Sequence, residues 1–316
     1  MRSVWTDAVV CITGGTGSFG NAFAQRILEE PVRSIRILSR DEFKQSQMAQ
    51  KFSDPRMRFL LGDVRDSQRL RRALDGVSLV VHAAALKQVP AGERDPLEFV
   101  KTNVQGTANV IEAALDVGVE RVMALSTDKA AAPNTLYGAS KLMAEKMVLA
   151  ANDSYGQKVA FACVRYGNVV GSRGSVVPIF MEQAKSGTLT ITDTRMTRFW
   201  LSLGDAIAFV KDRIEEMHGG ELFVPRLPSV TITDLAAAIA PTANVVVTGI
   251  RPGEKLHEQM VTFDESRHAF DRGDYFVVNG ATRTGPEFSY SSDGNEVFLS
   301  PVEIRERLPL ALAQAA

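Results

Sequence analysis

Short β-branched runs alternate with longer segments of helical period over the first half of the chain, a pattern that restricts the fold more than any other in the sequence. The runs "AVVCITG", "SIRILSR", "MRFLLGD", "LVVHAAA", "RVMALST" and "AFACVRYG" are separated by segments such as "NAFAQRILEE" and "VQGTANVIEAALDVG". Strands that are apolar on both faces need cover on both, and helical crossovers return each strand parallel to the last. The expected fold class is therefore α/β: a doubly wound parallel sheet whose ligands collect beyond the C-terminal strand ends. Past about residue 170 the alternation fades. There "DAIAFVKDRIEEMHGG" reads as one more helix of the sheet domain, whereas "TITDLAAAIA", "NVVVTG", "GEKLHEQM" and "DYFVV" read as a smaller α+β cap. Residues 1–170, with a return at 201–224, are assigned to the sheet domain and 171–316 mainly to the cap. "NGATRTGPEFSYSSDGNE" reads as a surface loop, and Ser300 with Glu303 as the capping box of a late helix.

The polar words lie at the strand ends. In "VVCITGGTGSFG" the glycines Gly14, Gly17 and Gly20 follow a strand and open a helix. Glycine lets the backbone turn tightly and approach a pyrophosphate, whose charge then meets free N–H groups at the helix start. The loop of Gly14, Thr16, Gly17, Ser18, Phe19 and Gly20 is thus assigned to a dinucleotide on a Rossmann-type domain. An NAD site would place a carboxylate at the end of the next strand, but "SIRILSR" ends in Ser39 and Arg40, with Lys44 a turn later. These donors suit the 2′-phosphate of NADP. Asp63 and Val64 follow at another strand end, with Asp63 either at the adenine or serving as a helix N-cap. Ala83, Ala84 and Ala85 are small where the backbone passes the cofactor.

In "STDKAAAPNTLYGASK", Tyr137 and Lys141 are four apart and share a helix face, so the ammonium can stabilise a phenolate that would otherwise form only near pH ~10. Together with Thr127 at a strand end they match the active site of the short-chain dehydrogenases and reductases. Asp128 and Lys129 are either a solvated turn or an extra acid and base beside that site. Hydride transfer needs neither. An elimination does: a ketone at C4 of a hexose makes the C5 proton acidic, a base removes it, and an acid protonates the departing C6 hydroxyl.

Composition limits the partners. A formal net charge of −1 leaves no cationic footprint for nucleic acid or an anionic membrane. No run reaches the ~18 apolar residues of a membrane span, and no signal-type stretch precedes the first motif. Cys11 and Cys163 sit in apolar runs as small hydrophobes, which fits a reducing cytoplasm. His82, His218, His257 and His268 have no metal-ligand spacing, and no metal is expected.

Taken in order, "TGGTGSFG", "SRDE", "LGDVRD", "HAAALKQVP", "STDKA", "YGASK", "RYGNVVGSRGSVVPIF", "MTRFW" and "RPGEKLHE" resemble the extended short-chain dehydrogenases, and among them the inverting UDP-N-acetylglucosamine 4,6-dehydratases of bacterial glycan biosynthesis. The resemblance spans about residues 8 to 300. Retaining relatives carry Thr-Asp-Glu where this chain has Thr127-Asp128-Lys129, so the lysine implies inversion at C5. The resemblance further implies an NADP cofactor, a UDP-N-acetylhexosamine substrate and a homo-oligomer, either dimer or hexamer. Tyr137 would take the C4 hydroxyl proton, Lys129 the C5 proton, and Asp128 would protonate the C6 oxygen. Lys129 must then be neutral, and the nicotinamide and Lys87 are expected to depress its pKa. Lys87, Asn168, Ser175, Arg198, Arg251 and Glu254 are the expected substrate contacts, with Arg251 on the phosphates and Glu254 on the ribose, the alternative for these two being a surface salt bridge. Two alternatives stand beside this: a 4-epimerase of the same fold, and a non-enzymatic NADP-binding regulator.

Overall fold

The computed structural model describes residues 3–155, 158–171 and 175–315. The first half runs β1 (Val9–Thr13), α1 (Ser18–Ile27), β2 (Ser34–Ser39), α2 (Glu42–Lys51), β3 (Met57–Leu61), α3 (Ser67–Leu74), β4 (Leu79–His82), α4 (Val89–Arg94), α5 (Pro96–Phe99), α6 (Gly106–Val117), β5 (Arg121–Thr127), α7 (Leu136–Ser154) and β6 (Ala160–Tyr166). A π-helical turn, Val100–Gln105, joins α5 to α6. The second half runs α8 (Val176–Ala184), β7 (Thr188–Ile191), β8 (Thr197–Phe199), α9 (Leu203–Glu216), β9 (Leu222–Pro225), β10 (Ser229–Thr231), α10 (Ile232–Ile239), β11 (Asn244–Val247), β12 (Gln259–Val261), β13 (Ala269–Asp271), β14 (Tyr275–Val278), β15 (Tyr290–Ser291) and α11 (Pro301–Ala315).

The main sheet has the order β13-β14-β9-β6-β5-β4-β1-β2-β3. From β3 to β9 every pairing is parallel. Strand order reverses between β1 and β4, and the crevice beyond their C-terminal ends is where such sheets bind ligands. All five residues of β1 and all four of β4 are buried, as the unbroken apolar runs require. One face packs Leu70, Ile111, Val148 and Phe161 under α3, α6 and α7; the other packs Phe23, Ile27, Ile207 and Ile214 under α1 and α9. Helix starts follow the sequence chemistry. Asp41 caps α2, Asp66 caps α3 and Thr135 caps α7, while Ser300 and Glu303 exchange the two bonds of a capping box at α11.

A third core of Val177, Phe180, Leu189, Trp200, Leu235 and Ile304 builds the smaller cap around α8, α10 and α11. One sequence expectation needs correction here. "DYFVV" was assigned to the cap, but β13 and β14 form an antiparallel hairpin that extends the main sheet beside β9 and buries Phe276 and Val277. A three- or four-residue strand carries no periodicity that tells which of two sheets it joins; its non-local partner decides.

Candidate active site

The crevice between β1 and β4 opens into a cavity of about 520 Å³, within the range of a ligand pocket. Gly14 leaves β1 with φ +66°, and a Cβ there would lie 2.8 Å from the backbone N and Cα of Ala84. A Cβ on Gly20 would lie 2.4 Å from Gly15 Cα. These two glycines let the loop, the helix and the alanine run after β4 close to the thickness of backbone alone. Every residue assigned from sequence to the cofactor lines this cavity: Gly14, Thr16, Gly17, Ser18, Phe19, Gly20, Ser39, Arg40, Lys44, Asp63, Val64, Ala83, Ala84, Ala85, Tyr137 and Lys141. Thr16 and Ser39 hydroxyls meet at 2.8 Å. Lys44 pairs with Asp41 at 3.1 Å, and Arg40 stands 3.8 Å from Asp63. Because Asp66 caps α3, Asp63 is released from the N-cap role and faces the cavity.

The segment "STDKAAAPNTLYGASK" sits at the far end of the same cavity. β5 ends in Thr127, and a single 3₁₀ turn carries Asp128 and Lys129. Gly138 lets α7 press against that turn, since a Cβ there would lie 2.3 Å from the Lys129 carbonyl oxygen. Tyr137 and Lys141 share the inner face of α7, both buried, and Lys141 Nζ donates to the Leu125 carbonyl at 2.6 Å. Burial pushes the Tyr137 phenol up, while the Lys129 charge and a Thr127 hydrogen bond pull against it. Burial pulls the Lys141 ammonium down.

Asp128 and Lys129 are no solvated turn. Asp128 is 1% exposed, and Lys129 Nζ donates to Asp128 Oδ1 at 3.1 Å, Asn168 Oδ1 at 3.1 Å and Glu258 Oε1 at 3.2 Å. The expected depression of Lys129 is corrected by this cage. Burial favours its neutral amine, but Asp128 and then Glu258 outweigh burial and raise its proton affinity. Of Lys87 and Lys129 it is Lys87 that is lowered, first by burial and then by the Lys129 charge. Asp128 is raised by burial and by Glu258.

The cap closes on this row through "RPGEKLHE". Gly253, at φ +76°, packs on Thr135, Lys255 Nζ donates to the Ala131 carbonyl at 2.8 Å, and Glu258 reaches Lys129. Of the expected substrate contacts, Lys87 and Asn168 line the cavity. Arg251 and Glu254 instead pair with each other at 3.0 Å near the surface. Arg198 donates to the carbonyls of Thr197, Lys255 and Leu256, and Ser175 begins α8 without a side-chain cap bond. Sequence reasoning passed over Glu258, the last residue of a word it quoted. It also passed over a buried network behind the site, in which Glu145 of α7 accepts from Ser126 and Arg165, and Arg165 also binds Glu265 at 2.8 Å. A buried polar residue inside an apolar strand, as Arg165 is in "AFACVRYG", was the available signal.

The doubly wound sheet, the glycine loop and the Thr127, Tyr137, Lys141 row together define an extended short-chain dehydrogenase/reductase. Residues 10–280 match the model of a family described as polysaccharide biosynthesis protein. The chain is 48% identical to a UDP-N-acetylglucosamine 4,6-dehydratase (inverting) of Campylobacter jejuni, over 94% of this chain and 96% of that one. It is 43% identical to a UDP-glucose 4-epimerase of Rickettsia canadensis, over 87% of this chain and 84% of that one. Among solved structures, Pen from Bacillus thuringiensis superposes with a TM-score of 0.91 at 35% identity, covering 98% of this chain and 99% of that one. The chain belongs to the polysaccharide biosynthesis family, in the branch that holds the inverting UDP-N-acetylglucosamine 4,6-dehydratases.

Proposed function

We propose that the chain is an NADP-dependent inverting 4,6-dehydratase of a UDP-N-acetylhexosamine, converting UDP-N-acetylglucosamine to the 4-keto-6-deoxy-L-arabino sugar nucleotide in bacterial glycan biosynthesis. One observation carries the reading: a buried acid and a lysine, Asp128 and Lys129, stand 3.1 Å apart at the end of the strand that also presents Thr127. Reversible hydride transfer at a sugar carbon would be supported by Thr127, Tyr137 and Lys141 alone. An adjacent acid and base serve a further step.

The glycine cradle, too tight for any Cβ at Gly14 or Gly20, fits a dinucleotide pyrophosphate. Ser39, Arg40 and Lys44 would hold the 2′-phosphate and Asp63 the adenine. When bound, NADP supplies reversible hydride chemistry. Tyr137 takes the proton of the C4 hydroxyl, with Thr127 holding the phenol and Lys141 orienting the nicotinamide ribose. With C4 oxidised, Lys129 removes the C5 proton and Asp128 protonates the departing C6 oxygen. C6 is then reduced and C5 reprotonated from the opposite face. C4 loses two electrons, C6 gains two, and one water leaves. Lys87 and Asn168 are placed to meet the sugar or its diphosphate; Arg251 and Glu254 would have to exchange their mutual pair for the nucleotide.

The second reading, a 4-epimerase, is favoured by the Rickettsia relative. Incubation with UDP-N-acetylglucosamine and mass spectrometry of the nucleotide product separates the two. Loss of one water supports the dehydratase; a product of unchanged mass but altered C4 configuration sinks it.

A further inference from the structure

Lys129 stands between two buried carboxylates, and the reaction above uses only Asp128. The second, Glu258, is 3% exposed and bonds to Lys129 Nζ through Oε1 at 3.2 Å. Its Oε2 is buried without a hydrogen-bond partner among the described residues, and so is Asp128 Oδ2. A second buried carboxylate on one ammonium is costly unless it is used. Packing of the segment does not require it, because the Glu258 backbone is fixed separately: its N–H donates to Ser292 Oγ at 2.9 Å and its carbonyl accepts from Ser292 N at 2.8 Å. The other charged groups facing Glu258 are Asp128 and Lys129 from the turn after β5, Arg198 from β8 at 3.7 Å, and Lys255 from its own loop.

The cage also raises a problem for the reaction. It holds Lys129 as an ammonium, whereas abstraction at C5 needs the amine. Resting on the dehydratase reading, we propose that Glu258 is a positioning residue, which fixes Lys129 Nζ against Asp128 and keeps a negative charge beside the pair, so that one internal proton transfer readies both groups. In that transfer an N–H bond of Lys129 breaks and an O–H bond forms on Asp128, with no change in net charge. The products are an amine to take the C5 proton and a carboxylic acid to protonate the C6 oxygen. Elimination then puts the C5 proton on Lys129 and removes the proton from Asp128, which restores the starting charges. Glu258 raises proton affinity at both sites, so the pair keeps its shared proton to higher pH and titrates as a unit.

Glu258→Gln, which keeps shape and removes charge, and Glu258→Asp, which keeps charge and withdraws it by one methylene, test this on the purified full chain. The first readout needs no turnover. Lysines are labelled as dimethylamines and followed by NMR across pH, and Lys129 is assigned by its absence from Lys129→Arg. Its midpoint should fall in Glu258→Gln and fall less in Glu258→Asp. The second readout is the pH–rate profile of dehydration: both limbs should move to lower pH in Glu258→Gln, with a rate loss of about 10- to 100-fold that Glu258→Asp partly restores. An unmoved midpoint with unmoved limbs in a folded Glu258→Gln overturns the proposal, as does an equal rate loss in both variants without a shift in pH. Should Glu258→Gln fail to fold, Glu258→Asp decides alone: a lowered midpoint supports the role and a native one overturns it. Failure of the native chain to dehydrate its sugar nucleotide would defeat the dehydratase reading, while the Lys129 midpoint would still judge the charge role of Glu258.

Discussion

In the proposed reaction, Tyr137 and Lys129 divide the chemistry at the level of single residues. The phenol is buried against Phe99 and pulled by Lys129 and Thr127, so deleting its oxygen removes a proton acceptor and leaves the packing intact. Tyr137→Phe is therefore expected to abolish nicotinamide reduction, followed by absorbance, while its urea midpoint stays close to native; appreciable reduction would remove Tyr137 from the step. The pairing of Tyr137 with Lys141 was legible because helical spacing alone puts them on one face. Asp128 and Lys129 were legible as neighbours but ambiguous between solvent and site, since burial comes from β6, the cap and α7 rather than from the turn itself. Glu258 could not be read at all, because its bond to Lys129 spans 129 residues and an acid in a charged loop looks solvated.

At the level of elements, β1, β4 and α6 are tied together by a buried histidine. His82 Nδ1 meets Thr13 at 2.7 Å and Nε2 meets Thr107 at 3.0 Å. Burial, aided by the Lys141 charge, pushes its pKa from 6.5 down to about 3. The folded chain thus keeps His82 neutral, whereas the unfolded chain binds a proton once pH falls below 6.5. Stability is then lost as pH falls from about 6.5 toward about 3, by up to about 1.4 kcal/mol per pH unit from this one group. Urea unfolding across that window should show a steeper loss for the native chain than for His82→Gln; parallel slopes would place a charged imidazole in the fold. The parallel strands themselves were legible because burial on both faces leaves unbroken apolar runs. The β13–β14 hairpin was not, because its place in the sheet is set by β9, more than forty positions upstream in sequence.

Across the whole molecule, the sheet, helix α7 and the C-terminal segment meet at Arg165. Fully buried on β6, it binds Glu145 of α7, Glu265 at 2.8 Å and the Met260 carbonyl at 2.8 Å. Glu145 lies one turn beyond Lys141 and also accepts from Ser126, so the clamp sits directly behind the site. Removing the arginine strands a carboxylate with no exposure at all. Arg165→Ala should therefore cost about 3–5 kcal/mol in urea unfolding, and Glu145→Gln added to it should recover part of that loss. A cost below about 1 kcal/mol would mean that water replaces the clamp.

The elimination proposed for Asp128 and Lys129 is tested most directly by turning over UDP-N-acetylglucosamine in deuterated water and reading the product by NMR. Deuterium is expected at C5, the hydrogen that left C4 should reappear on a C6 methyl group, and C5 should have inverted. Lys129→Ala should stop after oxidation, with the reduced cofactor accumulating. A product that keeps its C6 hydroxyl and carries no deuterium at C5, or a Lys129→Ala variant that dehydrates at the native rate, would contradict the role assigned to the pair.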